Sequence, residues 1–199
     1  MSCTQPAVCT RAVSTHPADG NSAPVVVLGG TRNVRDVMDD LNIIKCEYVY
    51  GGVHCGMRAR TTRLWNNGVG EFVRRCNGQV HLTGWSLGGG CAVYMTALMH
   101  TYGHGPPLSI TTFGAPRCGD AAFTRWYASE GLWERTTRYE LSNDPVVSLP
   151  NGNGYRHVGR KVILTSNDAG NVLWGQHDLN LYHAALSKTW SPSHLTVDS

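Results

Sequence analysis

Two rhythms of apolar and polar positions run through the chain. Short apolar or alternating segments at 24–28, 47–50, 79–83, 108–113 and 136–141, and a longer one at 155–165 with a bend at Gly159, read as β-strands. Between them, apolar residues recur three and four apart. Val34, Val37, Met38 and Leu41 predict a helix over 32–41. Met57, Leu64, Trp65, Phe72 and Val73 predict a long one over 57–76, broken near Gly68 and Gly70. Leu87, Cys91, Met95, Leu98 and Met99 give the apolar face of a third helix. A fourth spans 120–130 with Asp120 near its start, and Leu179, Tyr182, Ala185 and Leu186 mark a closing helix over 178–188. Strands alternating with helices imply an α/β protein with a mostly parallel central sheet and helices on both faces. No internal repeat interrupts the order. Residues 1–23, rich in Ser, Thr, Pro and Ala, read as a poorly ordered arm, leaving 24–199 as a single domain.

Composition narrows the possibilities. A chain of 199 residues with 41% hydrophobic and 16% charged residues can bury one real core and lacks the charge excess of a disordered protein. Its formal charge of +3 is too small to announce nucleic acid as a partner. The arginines at 58, 60, 63, 74 and 75 read as a solvated helix face, with an anionic membrane surface the lesser reading. The first twenty residues lack the apolar core of a secretory signal, and no run is long enough to cross a membrane. Seven cysteines, an odd number without a Cys-x-x-Cys pair, argue against a zinc site and a complete disulfide framework. They favour a cytoplasmic or otherwise intracellular setting, with secretion the alternative if a leader was removed. The first strand runs into Gly29-Gly30-Thr31, as a dinucleotide site would, but residues 32–40 contain no third glycine to open the helix. No nucleotide, metal or other cofactor is expected.

Chemistry concentrates at 79–95. A strand leads into Gly84-Trp85-Ser86-Leu87-Gly88, and a helix follows. With 23 glycines in the chain the bare pentapeptide would arise by chance roughly 0.2 times, so its context carries the weight. Glycines two positions either side of a serine allow a strand-to-helix turn so tight that the hydroxyl projects from its apex. The first N–H of the helix, at Leu87, then points at whatever the serine attacks. A serine hydroxyl needs a base, and in such sheets functional loops gather at the carboxyl ends of strands. After Ser86 the acids are Asp120, Asp144, Asp168, Asp178 and Asp198. Asp144 directly follows a strand and precedes a stiffening proline; Asp120 suits a helix start and Asp168 a polar turn. Among the histidines, His177 lies in a loop before the last helix, from which an imidazole can reach over the sheet. It is preferred to His183, which the helix would have to aim, and to His157, which sits inside a β segment.

These residues resemble the fungal-type lipases (lipase class 3), an α/β-hydrolase family, across roughly 24–187. The blocks match in order: VVVLGGTRNVRDVMDDL, VHCGM, LTGWSLGGGCA, TTFGAPRCGD, NDPVVSLP and YRHVG. The resemblance implies Ser86 as nucleophile, Asp144 as orienting acid and His177 as base, with an oxyanion hole from the N–H groups of Thr31 and Leu87. It marks His54, Arg117 and His157 as scaffold. Gly29 stands where the family usually has Arg, Trp85 where it has His, and Val37 where it has Trp in the helix resembling a lid. The implied activity is hydrolysis of carboxylic esters of lipids through an acyl-enzyme, with phospholipids or short soluble esters as close alternatives. The implied partner is a lipid or ester substrate. Val34, Val37, Met38 and Leu41 either present an apolar surface suited to acyl chains and peripheral contact with a lipid interface or belong to the core. The rival reading is a catalytically silent module of the same fold that binds lipid or protein.

Overall fold

The sheet expected from the alternating pattern is six strands wide in the computed structural model of the chain, which describes residues 12–15, 23–30, 44–165 and 175–189. Its strands lie in the order β1 (Ala12–Thr15), β2 (Val25–Leu28), β5 (His81–Trp85), β6 (Ser109–Phe113), β7 (Thr136–Leu141) and β8 (Arg160–Leu164). β1 is antiparallel to β2, and every other neighbouring pair is parallel. β3 (Lys45–Tyr48) and β4 (Gly51–His54) form a separate antiparallel hairpin. The helices are α1 (Cys55–Leu64), α2 (Gly70–Arg75), α3 (Leu87–Thr101), α4 (Ala121–Ser129), the short α5 (Leu132–Arg135) and α6 (Leu179–Thr189). A π-helical turn over Trp65–Val69, with Asn67 and Gly68 out of helical geometry, divides α1 from α2 where the glycines predicted a break.

Alternation along the strands sorts the sheet into two faces. Val26, Leu28, Leu82 and Ile110 pack with Cys91, Met95 and Met99 of α3 and with Leu64 and Val73 of α1 and α2. A second cluster, including Val53, Met57, Tyr94, Phe123 and Tyr127, joins β4, α1, α3 and α4. The opposite face carries Trp85, Phe113 and Tyr139, covered by Tyr182 and Ala185 of α6. Helices therefore lie on both sides. α3 departs from expectation: it buries every residue from Leu87 to Met99, where the spacing predicted one apolar face. Sheet, α1–α2 and α4 surround it, and a helix enclosed on all sides has no wet face.

Four other features differ from the sequence reading. Residues 12–15, assigned to the arm, add β1 to the sheet edge beside β2. The strand expected at 47–50 lies instead at Lys45–Tyr48, and Gly51-Gly52 opens β4, the second arm of a hairpin. That hairpin sets Lys45 opposite His54, so Cys46 and Cys55, nine positions apart, come within 5.2 Å at Cα and form a disulfide. A cysteine count could not see this pairing; Cys76, Cys91 and Cys118 are free thiols. Arg60, read as part of a solvated face, is instead 3% exposed. No helix among the described residues is long and apolar enough to cross a membrane. The predicted helix at 32–41, Thr31 and Asp168 lie outside the described residues.

Candidate active site

Ser86 stands between the last residue of β5 and the first of α3, with φ 57° and ψ −129°. A non-glycine residue held there costs on the order of 1–3 kcal/mol and persists only where its surroundings fix it. They do so here. The Ser86 N–H donates to the Phe113 carbonyl at 2.8 Å, and the Ser86 carbonyl accepts from the Gly89 N–H at 2.9 Å. The flanking glycines make the close approach possible. A Cβ on Gly84 would come within 2.7 Å of Gly89 N, and one on Gly88 within 2.8 Å of the Gly29 carbonyl carbon. Strand and helix thus touch backbone to backbone, and the serine occupies the corner.

Asp144 follows β7 in a turn closed by its own N–H on the Leu141 carbonyl at 3.1 Å. The loop before α6 brings His177 to it. The carboxylate can only accept, so His177 Nδ1–H donates to Asp144 Oδ2 at 2.8 Å, and Nε2 is left to accept the Ser86 hydroxyl at 2.7 Å. Both side chains of the Asp–His pair are fully buried. Asp144 Oδ1 accepts the Val146 N–H at 2.8 Å, and Oδ2 also accepts the Tyr182 hydroxyl at 2.6 Å. That hydroxyl in turn accepts the Leu141 N–H at 3.1 Å. Burial first, and then the neighbouring Asp144 charge, hold the Tyr182 phenol well above its usual range, so it stays a donor. The result is one buried line of hydrogen bonds from Tyr182 through Asp144 and His177 to Ser86.

Of the residues expected here, Ser86, Asp144 and His177 are brought together. Leu87 supplies the first N–H of α3, one of the groups that a helix leaves without an internal acceptor. Thr31 is not described, but its neighbour Gly30 is, and a Cβ there would come within 3.4 Å of Ser86 Cβ. The alternatives lie elsewhere. His183 is exposed on α6. His157 donates from Nε2 to the Val147 carbonyl at 2.7 Å; burial, then the Arg138 charge, lower its pKa to about 3. Asp120 caps α4 by accepting the N–H groups of Ala122 and Phe123. His54 Nδ1 caps α1 through the Met57 N–H, and Arg117 donates to the Pro150 carbonyl.

Three participants were missed. Tyr182 was legible only as one buried residue on an apolar helix face, although a buried phenol usually finds a partner for its hydroxyl. Arg60 donates from Nη2 to the Gly29 carbonyl at 2.8 Å, anchoring the end of β2 beside the elbow. Trp85 stacks on His177, with ring centroids 4.7 Å apart and planes 18° from parallel. Nothing in the spacing of either Arg60 or Trp85 signals these contacts. Among the described residues no cluster of His, Cys, Asp and Glu is placed to hold a metal ion.

Comparison with known proteins bears on this geometry. The family described as Lipase (class 3) matches residues 25–154. A lipase from Rhizomucor miehei is 29% identical over 165 residues, covering 77% of this chain and 45% of that protein. The solved structure of Rhizomucor miehei triacylglyceride lipase superposes with a TM-score of 0.68 at 24% identity, over 78% of this chain and 62% of that one. A triacylglycerol lipase whose catalytic centre is formed by a serine protease triad superposes with a TM-score of 0.64 at 26% identity, over 75% and 60% of the two chains. The chain thus spans about half the length of these relatives.

Proposed function

Since this chain belongs to the class 3 lipase family, we propose that it hydrolyses carboxylic esters of lipids, with Ser86 as nucleophile, His177 as general base and Asp144 as orienting acid. The buried line Tyr182–Asp144–His177–Ser86 carries the reading. His177 Nε2 takes the Ser86 proton as Oγ attacks the ester carbonyl, and the carbonyl π pair moves onto oxygen. The Leu87 N–H, with that of Thr31 as the family resemblance implies, receives the oxyanion; one such donor is worth about 3 kcal/mol of barrier. Collapse expels the alcohol, which takes the proton from His177 and leaves an acyl-enzyme. Water then repeats the sequence, giving its proton to His177, releasing the acid and restoring Ser86. Asp144 holds the imidazole in the tautomer with the proton on Nδ1 and stabilises its cationic form.

Glycerolipid esters are the favoured substrates, supported by the triad-bearing triacylglycerol lipase this chain resembles. The Cys46–Cys55 disulfide supports residence in an oxidising compartment rather than the reducing one that the cysteine count favoured.

The test is the Ser86→Ala variant. It is expected to fold, to lose covalent labelling by a fluorophosphonate and to lose ester turnover. Labelling that survives the substitution would remove Ser86 from its role. Nitrophenyl esters of increasing chain length, with and without detergent, would separate lipase from soluble esterase. Hydrolysis of none of them would favour a silent binding module.

A further inference from the structure

We propose that Trp85 is a positioning residue whose ring face stabilises the protonated form of His177. The inference rests on His177 being the general base. Both nitrogens of the imidazole are already engaged, Nδ1 by Asp144 and Nε2 by Ser86. A ring face is therefore what remains for a third group to act upon, and the indole lies on one, 4.7 Å away and nearly parallel. Gly30 limits the room this indole has to shift, because a Cβ there would come within 2.8 Å of Trp85 Cε3.

An indole offers the largest and most electron-rich face of any side chain.

In the resting enzyme the imidazole that accepts the Ser86 hydroxyl is neutral, and the contact is ordinary stacking. Once Nε2 takes the serine proton, a cation faces the indole and an attraction is added that the ground state lacked. Interactions that strengthen only in the transition state raise kcat and leave KM alone. Cation–π contacts of typical strength correspond to about threefold to thirtyfold in rate.

Mono-, di- and trifluorinated tryptophans incorporated at position 85 of the full chain test this directly. Fluorine drains the ring face while nearly preserving its shape. With a nitrophenyl ester as substrate, kcat is expected to fall stepwise with each fluorine, by about threefold to thirtyfold in total, at constant KM and melting temperature. Trp85→Phe should fall between parent and Trp85→Leu. Equal kcat across the fluorinated series, or losses that track melting temperature instead of fluorine count, would overturn the proposal while leaving the base assignment standing. A parent enzyme that neither turns over any ester nor labels with a fluorophosphonate would overturn both.

Discussion

Tyr182→Phe deletes one oxygen from the centre of the hydrogen-bond line and leaves the apolar ring in place. Two bonds go with it: the 2.6 Å donation to Asp144 Oδ2 and the 3.1 Å acceptance from the Leu141 N–H. Tyr182 is 1% exposed and Asp144 3%, so no solvent is at hand to replace the lost partner. A hydrogen bond to a charged group contributes about 1.5–3 kcal/mol, and a buried donor left unpaired costs about 1–3 kcal/mol. The two share an atom and do not add in full, so a stability loss of about 3 kcal/mol is expected. Catalysis should suffer less. Asp144 keeps the Val146 N–H on Oδ1 and the His177 Nδ1–H on Oδ2. The carboxylate loosens without leaving, and about tenfold in kcat, or about 1.4 kcal/mol, is expected with KM unchanged.

Equilibrium urea unfolding read together with ester turnover checks both halves. The midpoint should drop at constant m-value, as it does when stability changes and the unfolded state does not. A stability loss below about 0.5 kcal/mol would mean that the hydroxyl is not bonded as described. A loss of a thousandfold in kcat would mean that it does more than hold the acid in place.

Three further expectations concern the scaffold. The His157 pKa falls from 6.5 to about 3 because burial, and then Arg138, disfavour its charge; the unfolded chain binds that proton more readily, so stability should drop as pH falls from 6.5 towards 3. The slope is at most about 1.4 kcal/mol per pH unit, and urea midpoints of parent minus His157→Gln should isolate it from Glu140, whose raised pKa pulls the other way. Gly88→Ala sets a methyl group against the end of β2 and should cost about 1–3 kcal/mol by urea unfolding and more than tenfold in turnover; parent-like activity would refute the backbone contact at the elbow. Removing the Cys46–Cys55 bond by double substitution to serine frees a loop of nine-residue separation and should cost about 2–3 kcal/mol, seen as a melting temperature lower by about 5–10 °C. An unchanged melting temperature would mean that the bond does not form in solution.

Features set by neighbours in sequence could be read before any fold was known. The break near Gly68, the cap at Asp120 and the limits of β7 each depend on residues within a few positions of one another. The turn at Ser86 is of the same kind, since the glycines two positions away decide what geometry the serine can adopt. Asp144 and His177 were nameable by a different route. They are far apart in the chain, but each occupies the end of a regular element, and sheet topology restricts where such ends can meet. What escaped depends on contacts that neither rule constrains. Arg60 reads as surface because its helix repeats charge, yet α1 lies against the end of β2 and turns that guanidinium onto the Gly29 carbonyl. Trp85 is placed only within the turn motif before Ser86, and nothing in that motif says which ring will lie upon it. Cys46 and Cys55 pair only because the hairpin register fixes their separation. Local turn chemistry and sheet topology together thus indicate where the proposed triad stands, while the groups packed against it come from contacts between elements. A variant survey confined to Ser86, Asp144 and His177 would therefore test the proposed chemistry and miss Tyr182, Arg60 and Trp85, whose substitutions are expected to alter its rate without abolishing it.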